Sequence, residues 1–150
     1  MAASFKRLYV GAKVKTVGNV ALYRFEDIVP SEGVIYYAYE NYAECIGKNT
    51  GTGAVAIYDL VIAHAYKGKL VTHISADAFK NYTPLNSVVL PDTLKNIGKY
   101  AFNLCSNITS ITFLGTTEQW KAVTKGTGWI SGCTLVTCVH CSDGDSTVLS

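Results

Sequence analysis

The chain reads as a mainly β protein: a short solenoid with a small C-terminal helix/strand cap, preceded by a β-rich N-terminal region. Two observations predict this. First, residues 74–90 and 97–113 are two copies of one pattern, in which Ile74, Ala78, Phe79, Leu85, Ser87, Val88 and Leu90 recur 23 positions later as Ile97, Ala101, Phe102, Ile108, Ser110, Ile111 and Phe113. A fixed period of this size marks stacked coils, each covering the apolar side of the next. Second, each copy ends in a β-prone run, Ser87 to Leu90 and Ser110 to Phe113, and Pro91 stops the first because proline cannot donate to a ladder. The repeat core is therefore expected at Ile74, Phe79, Leu85, Val88, Leu90, Ile97, Phe102, Cys105, Ile108, Ile111 and Phe113.

The remaining elements follow in order. Leu8-Tyr9-Val10 and Val20-Ala21-Leu22-Tyr23 are short apolar stretches, and Gly18-Asn19 before the second favours a β-hairpin. Val34 to Tyr39 is β-branched and aromatic, a strand, and Gly47 to Gly53 is a loop. Ala54 to Tyr66 shows no clean period and fits a buried helix or a pair of strands, with strands preferred. Ala38 to Tyr42 echoes Ala78 to Tyr82, so one reading is a degenerate earlier coil with an insertion after it. Thr116 and Gln119 form a capping-box pattern that opens a helix over 116–123, laid across the last coil where it would cover an open edge. Thr134 to Cys141 alternates as a final strand, and Ser142-Asp143-Gly144-Asp145 ends the fold.

The run Ile97 to Phe113, the connection Leu90-Pro91-Asp92-Thr93-Leu94, and the tail segments Gly115 to Trp120 and Val139 to Asp145 resemble the BspA-type leucine-rich-repeat family over about residues 70–145. Tyr82 stands where Cys105 stands in the better copy, and Ser75 where Gly98 stands, so the first copy departs from the pattern. The resemblance implies a right-handed solenoid and roles in adhesion, host-surface binding or protein contact, and it brings no catalytic residues. It also implies that Trp120 buries against the final coil. Two domains are expected: a β-rich docking region, 1–69, and the repeat solenoid with its cap, 70–150. About three stacked units are normally needed for stability, so the N-terminal region or another subunit must cover the first copy near Ile74, Phe79 and Leu85.

Composition narrows the function. Charged residues are 16% of the 150, below the roughly 25% usual for soluble domains, so uncharged polar residues or covering subunits must complete the surface, and ten tyrosines suit such contacts. The net charge of +2 is dispersed, without the basic stripe nucleic acid requires, and no apolar run is long enough to cross a membrane. The opening residues lack a signal peptide's apolar core, so a chain starting at Met1 is not expected to be exported by the general secretory route. Five cysteines in that setting read as thiols, and the acceptor patterns at Asn81 and Asn107 as chance.

Cys133, Cys138, His140 and Cys141 are the one group with ligand-type side chains. On a strand, Cys138 and His140 share a face that Cys141 does not, so the four cannot converge on zinc without a bend, and buried thiols are the preferred reading. His64 and His73 carry no nearby nucleophile pattern, and no carboxylate pair is visible. No catalytic residue, metal site or cofactor is expected. Tyr82, Tyr100 and Trp129 are candidates for a contact surface, with Trp129 open between surface and core. The expected function is a non-enzymatic structural or attachment module, a phage virion component (decoration, fibre or tail-associated) with other protein subunits as partners. The alternative is a bacterial cell-surface or secreted adhesion module that binds a host protein or a glycan.

Overall fold

The computed structural model describes residues 28–148 and the backbone of two short segments, 16–17 and 20–21. These segments are β1 (Thr16–Val17) and β2 (Val20–Ala21), an antiparallel pair around Gly18-Asn19. The stretch Leu8 to Val10 lies outside the described residues. The other strands are β3 (Val34–Ala38), β4 (Ala43–Lys48), β5 (Asp59–Val61), β6 (Ala65–Tyr66), β7 (Lys69–Ile74), β8 (Ser87–Leu90), β9 (Asn96–Ile97), β10 (Ser110–Phe113), β11 (Thr124–Lys125), β12 (Val139–Cys141) and β13 (Gly144–Ser146), with one helix, α1 (Thr117–Ala122).

They build two sheets. One runs β11-β9-β7-β4-β3 with β6 paired to β7, and the other β13-β12-β10-β8-β5. Within them β4, β7, β9 and β11 are parallel, as are β5, β8, β10 and β12, so the chain winds through four coils. Cys45, Ile74, Ile97 and Lys125 stack in one sheet, and Leu60, Val88, Ile111 and Val139 in the other. Fourteen residues lead from 74 to 88, from 97 to 111 and from 125 to 139, and fifteen from 45 to 60. The return takes nine residues from 88 to 97 but fourteen from 60 to 74 and from 111 to 125. The extra residues are the β6–β7 hairpin and the helix α1, respectively.

The expected boundary at 69/70 therefore falls inside both sheets. The N-terminal region itself supplies the covering coil, with Ala43, Cys45, Ile57 and Leu60 in the same core as Ile74, Phe79 and Leu85. That coil consists of β4 and β5, whereas residues 39–42 only turn the chain from β3 to β4, closed by the Tyr39 N–H donating to the Tyr42 carbonyl. The Gly47 to Gly53 loop starts two residues later than expected, because Gly47 and Lys48 still belong to β4. Of Ala54 to Tyr66, β5 and β6 are strand.

Turn backbones stack as regularly as the strands. The Phe79 N–H donates to the Ala101 carbonyl, and the Phe102 N–H to the Trp129 carbonyl, both at 2.7 Å. Gly98 lies so close to the coil before it that a Cβ would meet the Ala76 nitrogen at 2.3 Å, and Gly126 stands likewise at 2.5 Å from the Lys99 nitrogen. At the corresponding position of the second coil, the Ser75 hydroxyl donates to the Glu44 carboxylate.

Helix α1 begins at the capping box, with the Gln119 N–H donating to Thr116 Oγ1 and the Thr116 N–H to Gln119 Oε1. It is not a terminal lid, since a whole coil follows it and the last sheet edge is taken by β13, antiparallel to β12. The predicted strand over 134–141 is confined to Val139–Cys141, because the fourth coil spends residues 127–135 on its turn.

Candidate binding surface

The outward face of the six-stranded sheet carries exposed apolar side chains at its β3 end. Alternation along β3 turns Tyr36 inward, where its hydroxyl accepts from the Ala63 N–H at 2.9 Å and its ring stacks on Tyr66. Ile35, Tyr37 and Tyr39 point out, with Tyr37 56% and Tyr39 41% exposed. Tyr37 meets Tyr39 edge-on at 4.7 Å, Tyr39 stacks on Tyr42 at 4.8 Å, and Tyr42 lies 4.5 Å from the His73 ring. Glu44 borders this row and raises the Tyr39 hydroxyl pKa, chiefly by charge repulsion of the phenolate. Further along the same face stand Asn96 and Thr124, so an aromatic end gives way to a polar one. Tyr37 and Tyr39 alternate in the sequence, whereas Tyr42 meets Tyr39 across the 39–42 turn and His73 joins the row only through the β4–β7 register.

The sequence candidates fall elsewhere. Tyr82 is half-buried, its hydroxyl accepting from the Ile57 N–H at 2.9 Å and its ring lying under Lys48, so it fills the gap left by the first coil's different turn. Tyr100 is flanked by Lys80 and Lys99, 5.1 and 5.2 Å from its ring. Trp129, 3% exposed, is not a surface residue: it takes the place of Ala101 one coil on and packs edge-on against Phe102 and Trp120. Among the described residues no further coil lies over it, which leaves room for the larger ring. Trp120 is fully buried against Phe113, and Ile74, Phe79, Leu85, Val88, Leu90, Ile97, Phe102, Cys105, Ile108, Ile111 and Phe113 are all buried. Phe79 and Phe102 stack at 5.3 Å with planes 5° apart.

The cysteines divide into two kinds. Cys105 and Cys133 occupy equivalent sites, each donating its S–H to the carbonyl of the phenylalanine one coil back, Phe79 at 3.0 Å and Phe102 at 3.1 Å. Cys45 and Cys141 are buried as well, whereas Cys138 is partly exposed on the C-terminal hairpin. A shallow cleft lined by Ile28, Pro30, Val61, His64, Pro91 and Leu114 encloses only about 20 Å³, far below the roughly 300–1,000 Å³ usual for small-molecule sites.

This architecture is that of a leucine-rich-repeat solenoid. Residues 67–127 match the family described as BspA type leucine rich repeat region (6 copies). Among solved structures, a leucine rich cell surface protein from Faecalibacterium prausnitzii A2-165 is similar over 73% of this chain and 29% of its own, with TM-score 0.57 and 20% identity. A leucine rich repeat protein of T. pallidum is similar over 74% of this chain and 48% of its own, with TM-score 0.53 and 17% identity. The chain thus spans less than half the length of either. No curated protein matches it.

Proposed function

We propose that the chain is a non-enzymatic binding module of a bacterial cell-surface or secreted protein, and that it engages a protein partner through the aromatic end of its six-stranded sheet. The observation that carries this is the row of exposed Tyr37 and Tyr39 continued by half-buried Tyr42 and His73, mounted on a hydrogen-bonded sheet. Tyrosine offers large contact area at low entropic cost, and the strands beneath hold the rings in place before any partner arrives. The likeness to a cell surface protein supports the setting. The virion role expected from the opening residues and low charge has no counterpart among the similar proteins.

Two measurements test the reading. Brief proteolysis of intact cells that express the parent protein should cleave the exposed 49–56 loop if the module is displayed. Surface plasmon resonance against panels of extracellular proteins and of glycans should find a protein ligand, with binding weakened at least tenfold by Tyr37→Ala combined with Tyr39→Ala. Binding that the double variant leaves intact, or ligands found only among glycans, would reject this surface as the protein site.

A further inference from the structure

We propose that Cys138, His140 and Asp145 form a zinc-binding site on the β12–β13 hairpin. Strand alternation places His140 and Cys138 on one side of the chain, and the antiparallel register sets Asp145 directly across from His140. The third donor comes from the neighbouring strand, so spacing in the sequence does not reveal it. Cys138 Sγ lies 4.0 Å from His140 Nδ1, and Nδ1 lies 2.8 Å from Asp145 Oδ1. All three donor atoms lie within 4.8 Å of one another. In a tetrahedral zinc site with bonds of about 2.0–2.3 Å, neighbouring donors stand roughly 3.3–3.7 Å apart, so closing the widest gap by roughly 1 Å, shared between two side chains, would seat an ion.

Two other readings of the trio fail on geometry. A thiol–imidazole–carboxylate catalytic triad needs the nucleophile on one ring nitrogen and the carboxylate on the other. Here both neighbours face Nδ1, so the imidazole cannot take the thiol proton while the carboxylate orients it from behind. A disulfide from Cys138 lacks a partner, since the nearest cysteine in sequence, Cys141, points into the core. A divalent ion, by contrast, uses three donors aimed at one point, and zinc favours a mixed sulfur, nitrogen and oxygen set. The thiolate and the Asp145 carboxylate together balance its two charges, with the thiol proton released to solvent on binding. The His140 and Asp145 side chains are 28% and 50% exposed, so the fourth position opens to water. Behind the site, β12 is held on both sides, parallel to β10 and antiparallel to β13, which fixes the donors before the ion arrives.

The full chain, stripped with a chelator, should bind one equivalent of cobalt(II) and show a thiolate-to-metal charge-transfer band that zinc abolishes by displacement. Cys138→Ser should remove the band, and His140→Ala or Asp145→Asn should weaken zinc binding at least tenfold in calorimetry. Zinc should also slow iodoacetamide labelling of Cys138 in the wild-type chain, read by peptide mass, which tests the site without any variant that must fold. No binding at 100-fold molar excess of metal, a cobalt spectrum without the charge-transfer band, or zinc affinity unchanged in Cys138→Ser would each overturn the proposal, as would labelling indifferent to zinc.

Discussion

Gly132 and Gly53 share a left-handed backbone, with φ of +86° and +85°, yet a Cβ at Gly132 would stand 3.2 Å from the Leu104 Cα and 3.3 Å from its nitrogen, in the coil before, while one at Gly53 would meet nothing within 4 Å. Gly53→Ala should therefore cost about 1 kcal/mol, the backbone penalty alone, and Gly132→Ala about 2–3 kcal/mol, the excess measuring how tightly the coils stack. Urea unfolding of the two variants checks it, and equal losses would mean the turn has room to yield. The buried thiols set a second expectation. Burial pushes Cys45, Cys105 and Cys141 up to about 12. Since unfolding returns each thiol to its ordinary range, stability is fully present below that range and falls as pH rises through it towards 12, by up to about 1.4 kcal/mol per pH unit for each thiol. Unfolding midpoints between pH 8 and 11 should show the decline, and Cys105→Ala should make it shallower.

Helix α1 is six residues long, too short to persist by propensity, so its termini and its buried Trp120 must hold it. At its end, Lys125 Nζ donates to the Trp120 and Val123 carbonyls at 2.8 and 2.9 Å and lies 4.3 Å from the Trp120 ring, so one ammonium closes the last turn. Thr116→Ala removes the side-chain half of the capping box and should cost about 1 kcal/mol, measured as a lowered midpoint in thermal unfolding followed by tryptophan fluorescence. Thr116→Ser, which keeps the acceptor, should lose far less. This helix was legible because a cap is a local pattern, written in residues three apart. Its place was not: the sequence shows that a helix starts at Thr116, while only the β9–β11 and β10–β12 pairings reveal that another coil follows it. The same insertion hides the fourth coil from a search for repeats, since it stretches the period beyond 23, and the β6–β7 hairpin hides the first. Only the interval with neither insertion, from Ile74 to Ile97, keeps the bare period, which is why one pair of copies stood out. The metal-type trio was missed for a related reason, because Asp145 reaches His140 across a strand pair that sequence spacing does not encode.

At the scale of the whole molecule, a stack of parallel coils has a standing problem at each end, where a strand offers unpaired backbone groups to any similar chain. Here the ends are closed by reversing the chain. At one end β3 pairs antiparallel with β4, and Ser31 covers the β5 edge, its N–H donating to the Val61 carbonyl at 3.0 Å while its Oγ accepts from the Val61 N–H at 2.8 Å. At the other, β13 turns back along β12, and the segment after it provides the Thr147 carbonyl that accepts from Trp120 Nε1 at 3.2 Å. Removing residues 142–150 would strip both functions at once, freeing the outer edge of Val139–Cys141 and uncovering the indole beneath. The shortened chain should lose stability and self-associate with rising concentration, seen by size-exclusion chromatography with light scattering beside the full chain under the same conditions. A point variant separates the two contributions. Replacing Val139 by Lys in the shortened chain would disrupt the core, but Thr137→Pro, just before the strand, leaves the apolar face alone and blunts approach to its edge, so it should reduce the association without restoring the lost stability. If the shortened chain instead keeps the size distribution and unfolding midpoint of the full one, the hairpin is an appendage and the four coils close themselves by packing alone.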